Sequence, residues 1–492
     1  MATHSQPVPD AASPLLQQLR QLLLSSGYCE SGIAPTIDNR DLTLPAADDL
    51  PTPLNTLLRL FFMFEDVAPA DVSSAIAPLT VDQLSAAGIL APQNDMVTSA
   101  LRIQPYQNLL FAFPAPEKDV PPEEAMMLVS PSSLEVAHLM TRARVRSALD
   151  IGTGCGFLAS LLAPFSNTVH AIDVNPAAIR FAQFNAQWNG FSNITFLTGD
   201  LLEPVRHQRF DLIVCNPPFL IAPVTDAFSN RYRFKHSGSA GDTFCIDLAR
   251  QASQLLNESG YFHMIFQWEE IQDQPWSSTL EKSFAGLGCD VWVARDISLT
   301  PGEHVAEWLS SLSEDEQANS TTLGQQALQY FQRKNIVATS TGLLTMRRVS
   351  NRKNYLWFDE APDDRLDPYG DSVAALFETR AAVEVMGDAG LLQQRLQPSP
   401  YLKLQQSSSV QNGEWQATDS ELALTQGLKY FFSDVDEEVL KVIADLSSGL
   451  TVEKALARLE LEDFVTEDLP EKYLPKIRDL LWYGFLTLPE SK

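Results

Sequence analysis

Cysteine is scarce in this chain of 492 residues: Cys29, Cys155, Cys215, Cys245 and Cys289 are all it has. They are odd in number, scattered, and form no CxxC pair. That excludes a disulfide framework and a cysteine zinc site, and it fits free thiols in a reducing cytoplasm. Histidine is nearly as sparse, seven residues without HxxxH spacing, so no structural metal is expected. Basic residues are few beside acidic ones, 35 against 62, for a net charge of −27. A dominant basic footprint for nucleic acid is therefore missing at the level of the whole chain. Long apolar runs are missing too. The most apolar stretch, around Leu57 to Phe64, is interrupted by Arg59, closed by Glu65-Asp66 and too short to span a bilayer. It reads as a core helix, and no membrane partner is expected. Residues Met1 to Pro7 show neither a basic region nor an apolar one, so no signal peptide is expected.

What is present is ordinary for a globular chain: 45% hydrophobic and 20% charged residues. The length implies about two to four domains. Ser13-Pro14 reads as a cap followed by proline at the first helical position, with Leu15, Leu16, Leu19, Leu22 and Leu23 at helical spacing up to Gly27. Thr52-Pro53 repeats the signal for a helix to Phe64. Pro69 to Ala77 and Thr80 to Ala87 read as short helices, and Met96 to Arg102 with Asn108 to Phe113 as one β-hairpin. These elements outline a winged-helix-like domain over residues 1–120. It lacks a Lys/Arg-rich recognition helix, which favours docking or substrate presentation over nucleic-acid binding.

After the proline-rich connector Pro114 to Pro122, a helix is expected over Leu128 to Met140. Strands and helices then alternate, the signature of a parallel α/β sheet. Strands are expected at Val145–Ile151, Thr168–Val174, Ile194–Thr198, Phe210–Cys215, Tyr261–Gln267, Asp290–Ala294 and Gly342–Val349, within a domain spanning 121–360. An insertion, about Ser298 to Thr341, carries the polar run Ser311 to Glu316 and a helix over Thr322 to Lys334, with no chemistry assigned. From 361 to 492 the pattern is mainly helical and acidic, with helices at Ala374–Met386, Asp436–Leu446, Thr451–Leu459 and Glu471–Tyr483, and a loop or weak hairpin over Gln405–Gln416. It reads as a second winged-helix-like module. Its acidic residues, among them Asp434, Asp436, Glu437, Glu467 and Asp468, would repel a phosphate backbone.

Three motifs could carry chemistry. Gly152, Gly154 and Gly156 follow the first strand at GxGxG spacing, where glycine lets the backbone turn tightly and approach a ligand. The helix that follows would offer N–H groups to electron-rich atoms. The spacing is not the GxGxxG of dinucleotide sites, so a dehydrogenase reading is disfavoured, and it would leave the third motif unexplained. Asp173 ends the second strand and can accept from ribose hydroxyls; Asp200 follows the third and can accept from an adenine amino group. Either could equally be a turn former or cap. The third motif, Asn216-Pro217-Pro218-Phe219, follows the fourth strand. Its prolines remove two N–H donors. The Asn216 side-chain oxygen and the Pro217 carbonyl could both accept from one substrate NH₂, with Phe219 stacked on the planar group bearing it.

On Asp150–Gly156, Asp173, Asp200 and Asn216–Phe219 the chain resembles the class I S-adenosylmethionine-dependent methyltransferases with an NPP[FY] motif, over about Leu128 to Val349. That group includes release-factor glutamine, ribosomal RNA guanine and adenine-N6 methyltransferases. Ser130 to Glu135 is similar to the segment that precedes the glycine loop in the release-factor enzymes, and Gly238 to Asp242 to their glycine-rich segment after NPP[FY]. The resemblance implies an α/β fold: a Rossmann-like, seven-stranded methyltransferase sheet, here flanked by the two small end domains. It implies S-adenosyl-L-methionine as cofactor, held by Asp150, Gly152, Thr153, Gly154, Cys155, Gly156, Asp173, Asn175, Asp200, Leu201 and Asn216. Asn216, Pro217, Pro218 and Phe219 would orient the acceptor nitrogen.

Hydrogen bonds to both N–H groups of the acceptor would stabilise the positive charge growing on a poorly nucleophilic nitrogen, and alignment with an already activated methyl supplies much of the rest. The acidic balance favours a protein glutamine amide, in a translation-factor-like substrate. The basic-aromatic run Arg231 to His236 pulls toward an exocyclic amine of RNA or DNA, by phosphate pairing and stacking, and Arg347-Arg348 with Arg352-Lys353 forms a second basic cluster. A third reading is a non-catalytic protein that binds the cofactor and recruits a partner. It needs a damaged site, whereas every motif position is filled.

Overall fold

The computed structural model describes residues 9–30, 52–115, 128–221, 242–310, 320–362, 368–411, 414–433, 435–463 and 469–489. They fall into two compact units, one of residues 1–137 and 144–352, the other of 138–143 and 353–492.

The first unit begins with helices α1 (Pro14–Ser25), α2 (Thr52–Phe61), α3 (Pro69–Ala75) and α4 (Val81–Ala86). The Ser13 hydroxyl caps α1 by accepting from the Leu16 amide, and Thr80 and Gln83 close a reciprocal capping box on α4. Two hairpins follow where one was expected. β1 (Leu90–Gln93) pairs with β2 (Met96–Ser99), and β3 (Leu101–Tyr106) pairs with β4 (Leu109–Pro114). The single expected strand Met96–Arg102 is broken between Ser99 and Leu101, where the Ser99 hydroxyl bonds the Leu101 backbone and turns the chain.

Helix α5 (Pro131–Leu139) leads to the sheet. Its elements are β5 (Val145–Ile151), α6 (Phe157–Leu162), β6 (Ser166–Asp173), α7 (Pro176–Trp188), β7 (Ile194–Thr198), β8 (Phe210–Cys215), α8 (Thr243–Gln254), β9 (Leu256–Ile271), α9 (Ser278–Phe284), β10 (Cys289–Leu299), α10 (Pro301–Ser310), α11 (Ser320–Arg333) and β11 (Ile336–Arg348). Seven strands of this unit, β5 to β11, lie in one sheet in the order β10-β11-β9-β8-β5-β6-β7. β5 pairs in parallel with β6 and β8, β6 with β7, and β8 with β9, while β11 runs antiparallel to both β9 and β10. The fold is thus α/β and Rossmann-like. Its middle strands read as apolar runs because helices cover both faces of a parallel sheet. The N-terminal helices have their own apolar cluster, built on Leu16, Leu19, Leu57 and Phe61, and it takes in Phe181, Phe184 and Trp188 of α7.

The insertion is more ordered than its polarity suggests. β10 runs on to Leu299 and β11 starts at Ile336, so among the described residues the insertion holds two helices on extended strands. α10, unforeseen, packs with α11 through Val305, Trp308, Ala327 and Phe331, together with Ile221. The polar run Ser311–Glu316 lies outside the described residues.

The second unit contains β12 (Leu356–Glu360), α12 (Gly370–Leu392, interrupted at Gly387), β13 (Gln397–Pro398), β14 (Leu402–Gln411), β15 (Glu414–Leu424), β16 (Phe431–Phe432), α13 (Glu437–Ser447), α14 (Val452–Asp463), α15 (Leu469–Trp482) and β17 (Leu486–Thr487). The segment expected as loop or weak hairpin is a long two-stranded ribbon, paired from Leu402↔Leu424 to Gln411↔Glu414. Its run of Gln and Ser has no alternating apolar face to announce strands, so only cross-strand pairing makes it one. Asp434, Glu467 and Asp468 lie outside the described residues.

Candidate active site

Four chain turns open at one edge of the sheet. Ile151 pairs with Cys215 in the parallel register of β5 and β8, so Gly152 and Asn216 leave adjacent strands at the same level. Ile151 also pairs with Ile172, and Asp173 with Thr198, which brings the ends of β6 and β7 to that edge. The carboxyl ends of parallel strands are where open α/β sheets hold ligands.

The glycine loop is built around Asp150, which is fully buried. Its Oδ2 accepts from Thr153 Oγ1 at 2.6 Å and from the Ala159 amide at 2.9 Å. Its Oδ1 is buried without a hydrogen-bond partner. Burial pushes the Asp150 carboxyl up to about 7, against the pull of those two donors. The Thr153 amide donates to the Ile172 carbonyl at 2.8 Å and ties the loop to β6. All three glycines have positive φ: 71° at Gly152, 53° at Gly154 and 81° at Gly156. A Cβ on Gly156 would lie 3.0 Å from Ala182 Cβ, so that glycine permits the close approach of α7. A Cβ on Gly152 or Gly154 would meet nothing within 4 Å and would project into open space. Those two glycines leave an open cradle; the third serves packing. Cys155 is buried and its thiol is pushed up to about 12, so the loop offers backbone there, not a nucleophile.

Asp173 closes the loop from the neighbouring strand. Its Oδ2 accepts from the Gly154 amide at 2.9 Å and its Oδ1 from the Asn175 amide at 2.8 Å, while burial raises its carboxyl. Asn175 caps α7, its Oδ1 accepting from the Ala177 amide at 2.8 Å. The Gly199 amide donates to the Asp173 carbonyl at 3.0 Å, which anchors the turn carrying Asp200 and Leu201. Asp200 is exposed, and Leu201 is half-buried with φ 46°. The structure thus joins Asp150, Thr153, Gly154, Asp173 and Asn175 by direct hydrogen bonds, and reaches Asp200 and Leu201 through Gly199. The expectation of free N–H groups on the following helix is corrected at Ala159, whose amide is taken by Asp150.

On the acceptor side, Asn216 Nδ2 donates to Ser132 Oγ at 3.1 Å and to Ser133 Oγ at 2.9 Å. Ser130 Oγ lies 2.9 Å and 3.1 Å from those same hydroxyls. Asn216 Oδ1 is buried with no hydrogen-bond partner. Pro217 is buried, and Pro218 and Phe219 are half-buried. The residue two positions after Phe219 is pinned on both sides: the Ile221 amide donates to Gln267 Oε1 at 3.1 Å, and His304 Nε2 donates to the Ile221 carbonyl at 2.7 Å. Arg231 to His236 and Gly238 to Gly241 lie outside the described residues. The second basic cluster is engaged internally: Arg348 donates to the Leu287 carbonyl, Arg352 pairs with Asp290, and Arg347 sits over the Tyr261 ring. Among the described residues, no His, Cys, Asp and Glu group is arranged to hold a metal ion, and no helix is long and apolar enough to cross a membrane.

The sequence reading missed the partners of Asn216, although the serines beside Pro131 were in view as a family-like segment. It also missed Gln267 and His304, which carry no local signal at all.

Comparison with known proteins agrees with this geometry. Residues 130–288 match the family model for the methyltransferase small domain. Residues 39–100 match a family described only as a domain of unknown function, DUF7059. A release factor glutamine methyltransferase of Geobacter sulfurreducens is 32% identical over 160 residues, which cover 30% of this chain and 54% of that protein. A tRNA1(Val) (adenine(37)-N6)-methyltransferase of Actinobacillus pleuropneumoniae is 33% identical over 131 residues, 26% of this chain and 54% of its own. A ribosomal protein uL3 glutamine methyltransferase of Xanthomonas campestris is 29% identical over 123 residues, 24% and 40% of the two chains. The chain spans about half the length of the first two of these relatives.

Proposed function

We propose that this chain is an S-adenosyl-L-methionine-dependent N-methyltransferase that acts on a planar nitrogen, a protein glutamine amide in a translation-factor-like substrate. One observation carries the reading. Asn216 Oδ1 is a buried acceptor with no partner, at the sheet edge beside a glycine cradle that any Cβ at Gly152 or Gly154 would fill. An unsatisfied buried carbonyl oxygen costs about 1–3 kcal/mol, and it becomes an asset when a substrate N–H arrives.

The cofactor, when bound, supplies an activated methyl group. The cradle and the orphaned Asp150 Oδ1 fit its amino-acid end, which brings N–H donors, while Asp173 and Asp200 take the ribose and the adenine, with Asn175 and Leu201 shaping the turns between them. Asn216 Oδ1 and the Pro217 carbonyl accept from the two N–H groups of the acceptor and hold its lone pair toward the methyl. Phe219 stacks on the acceptor's plane. Phosphate pairing is not the main attraction for a chain of net charge −27, which supports a protein acceptor.

The second reading, an exocyclic amine of adenine or guanine in RNA or DNA, is supported by likeness to a protein whose name is a tRNA adenine-N6 methyltransferase. Within this proposal residues 1–120, 121–360 and 361–492 are the N-terminal, methyltransferase and C-terminal domains. Both end domains are winged-helix-like; the N-terminal one docks or presents the substrate, and the acidic residues of the C-terminal one form a solvated face of a packing domain. Five free thiols support a cytoplasmic setting.

The test is tritiated methyl transfer into an extract of cells lacking the protein, followed by protease or nuclease digestion. Label lost to protease and stable to nuclease supports the glutamine reading. Label lost to nuclease moves the assignment to a nucleic acid, and no label in either fraction removes the enzyme.

A further inference from the structure

Helix α7 carries two asparagines one turn apart, and both face the outer edge of β4. The Ala112 amide donates to Asn185 Oδ1 at 2.8 Å, and Asn185 Nδ2 donates back to the Ala112 carbonyl at 3.0 Å. The Leu110 amide donates to Asn189 Oδ1 at 3.0 Å, and Asn189 Nδ2 donates to the Leu110 carbonyl at 2.8 Å. Each side-chain amide thus pairs with one strand residue as a neighbouring strand would. The match is one of pitch. Four helical residues rise about 6 Å, and two strand residues advance about 6.8 Å. The edge of a hairpin from the N-terminal part is closed in this way without a third strand.

Asn185 does one thing more. Its Nδ2 also donates to the Cys155 carbonyl at 3.0 Å, inside the glycine loop, and the residue is fully buried. Its polarity admits no alternative, because the Ala112 amide can only donate and the two carbonyls can only accept. Phe157, the residue after the loop, is packed edge-on against Tyr106 of β3 at 5.0 Å and Phe111 of β4 at 5.2 Å between ring centres. Asn189 makes no such reach to the loop; its other bonds go to the Asn185 carbonyl and Arg20.

We infer that Asn185 is a positioning residue for the cofactor loop, and that through it the N-terminal hairpin is part of the cofactor site. The inference rests on the reading of the glycine loop as that site. Holding Cys155 in place keeps Gly154 and Gly156 in the left-handed turns that leave the cradle open. By linkage, cofactor binding tightens the hairpin as much as the hairpin tightens cofactor binding.

The two asparagines supply their own control. In the full-length protein, Asn185→Ala and Asn189→Ala each remove a two-way pair with β4, and only the first removes the bond to Cys155. With S-adenosylhomocysteine as the probe in calorimetry, Asn185→Ala weakens affinity about five- to tenfold, the worth of one net hydrogen bond. Asn189→Ala stays within about twofold. Equal affinities for the two variants overturn the inference. Should Asn185→Ala fail to fold, hydrogen exchange of the wild type decides: the probe slows the Ala112 amide more than the Leu110 amide, and equal effects overturn the inference. Failure of the wild type to bind the probe would instead sink the cofactor reading itself.

Discussion

Asn216 turns its side-chain nitrogen onto the Ser133 hydroxyl, 2.9 Å away, and leaves its oxygen buried and unpaired. With Ser132 taking the second hydrogen, both N–H bonds of Asn216 are spent on the protein. What it has left to give is an acceptor. Asn216→Ala is therefore expected to bind S-adenosylhomocysteine within about twofold of wild type and to lose methyl transfer by roughly 10²–10³-fold, the usual range for removing one preorganised partner of developing charge. Calorimetry and label transfer into extract read the two effects. Loss of affinity with transfer intact would contradict the assignment.

The serines act on Asn216 from behind. Ser132→Ala with Ser133→Ala removes both hydrogen-bond acceptors and frees the amide to rotate. Turnover is expected to fall about tenfold at saturating cofactor, with the cofactor KM unchanged. Ser133→Thr keeps a hydroxyl and should restore most of the rate. An unchanged rate in the double variant would show that the amide is held some other way.

The glycines of the loop divide by what surrounds them. Gly156→Ala sets a Cβ 3.0 Å from Ala182 at φ 81°. Backbone strain and overpacking together should cost roughly 2–4 kcal/mol. Gly154→Ala meets nothing, and strain alone should cost about 1 kcal/mol. Its Cβ enters the cradle, however, so probe affinity should fall more than about tenfold. Urea midpoints and calorimetry separate the two; wild-type affinity in Gly154→Ala would remove the cradle.

Asp150 makes stability depend on pH. Burial raises its carboxyl to about 7 in the folded state, above the value near 3.8 of an exposed one. Between those values the native state holds a proton that the unfolded chain releases, so the cofactor-free protein loses stability as pH rises from about 4 to about 7. Asp150→Asn removes this penalty. The variant should gain on wild type in urea midpoint toward pH 8, and the gain should vanish near pH 4. A gain independent of pH would show that Asp150 is ionised throughout.

In the second unit, Arg380 is 2% exposed and pairs with Asp359 at 2.7 Å, between the rings of Trp357 and Tyr483. Arg380→Ala takes away the guanidinium that balances the Asp359 carboxylate and should cost roughly 3–5 kcal/mol. Arg380→Met with Asp359→Asn should recover most of that, since neither charge is then left behind. Denaturant unfolding checks both, and a variant as stable as wild type would show the pair to be idle.

Much of the central sheet was legible residue by residue. Val145–Ile151, Ile194–Thr198 and Phe210–Cys215 begin and end where the sequence places them. Two of these are short apolar runs in a sheet covered on both faces, and all three stop at the Gly or Asn that turns the chain, Gly152, Gly199 and Asn216. The strands where the sheet turns antiparallel were less legible. β9 extends from Leu256 to Ile271, well beyond the expected Tyr261–Gln267, because its start is defined by pairing with β8 and its end by pairing with β11 rather than by their own composition. The Gln- and Ser-rich ribbon of the second unit, read as a loop or weak hairpin over Gln405–Gln416, is likewise longer than its composition announces.

The amino-acid order by itself therefore determined the strand cores, the turn residues that end them, and the residue types offered at the sheet edge. Those depend on local sterics and on burial patterns that repeat every few residues. Which groups remain free was decided only by the tertiary fold. Asn185 reads as an unremarked position in a helix until Ala112, 73 residues away, lies against it. Asn216 acquires its orientation only from serines 83 and 84 residues upstream. A hydrogen bond needs its partner within about 3 Å, and no spacing along a chain reports a distance across a fold.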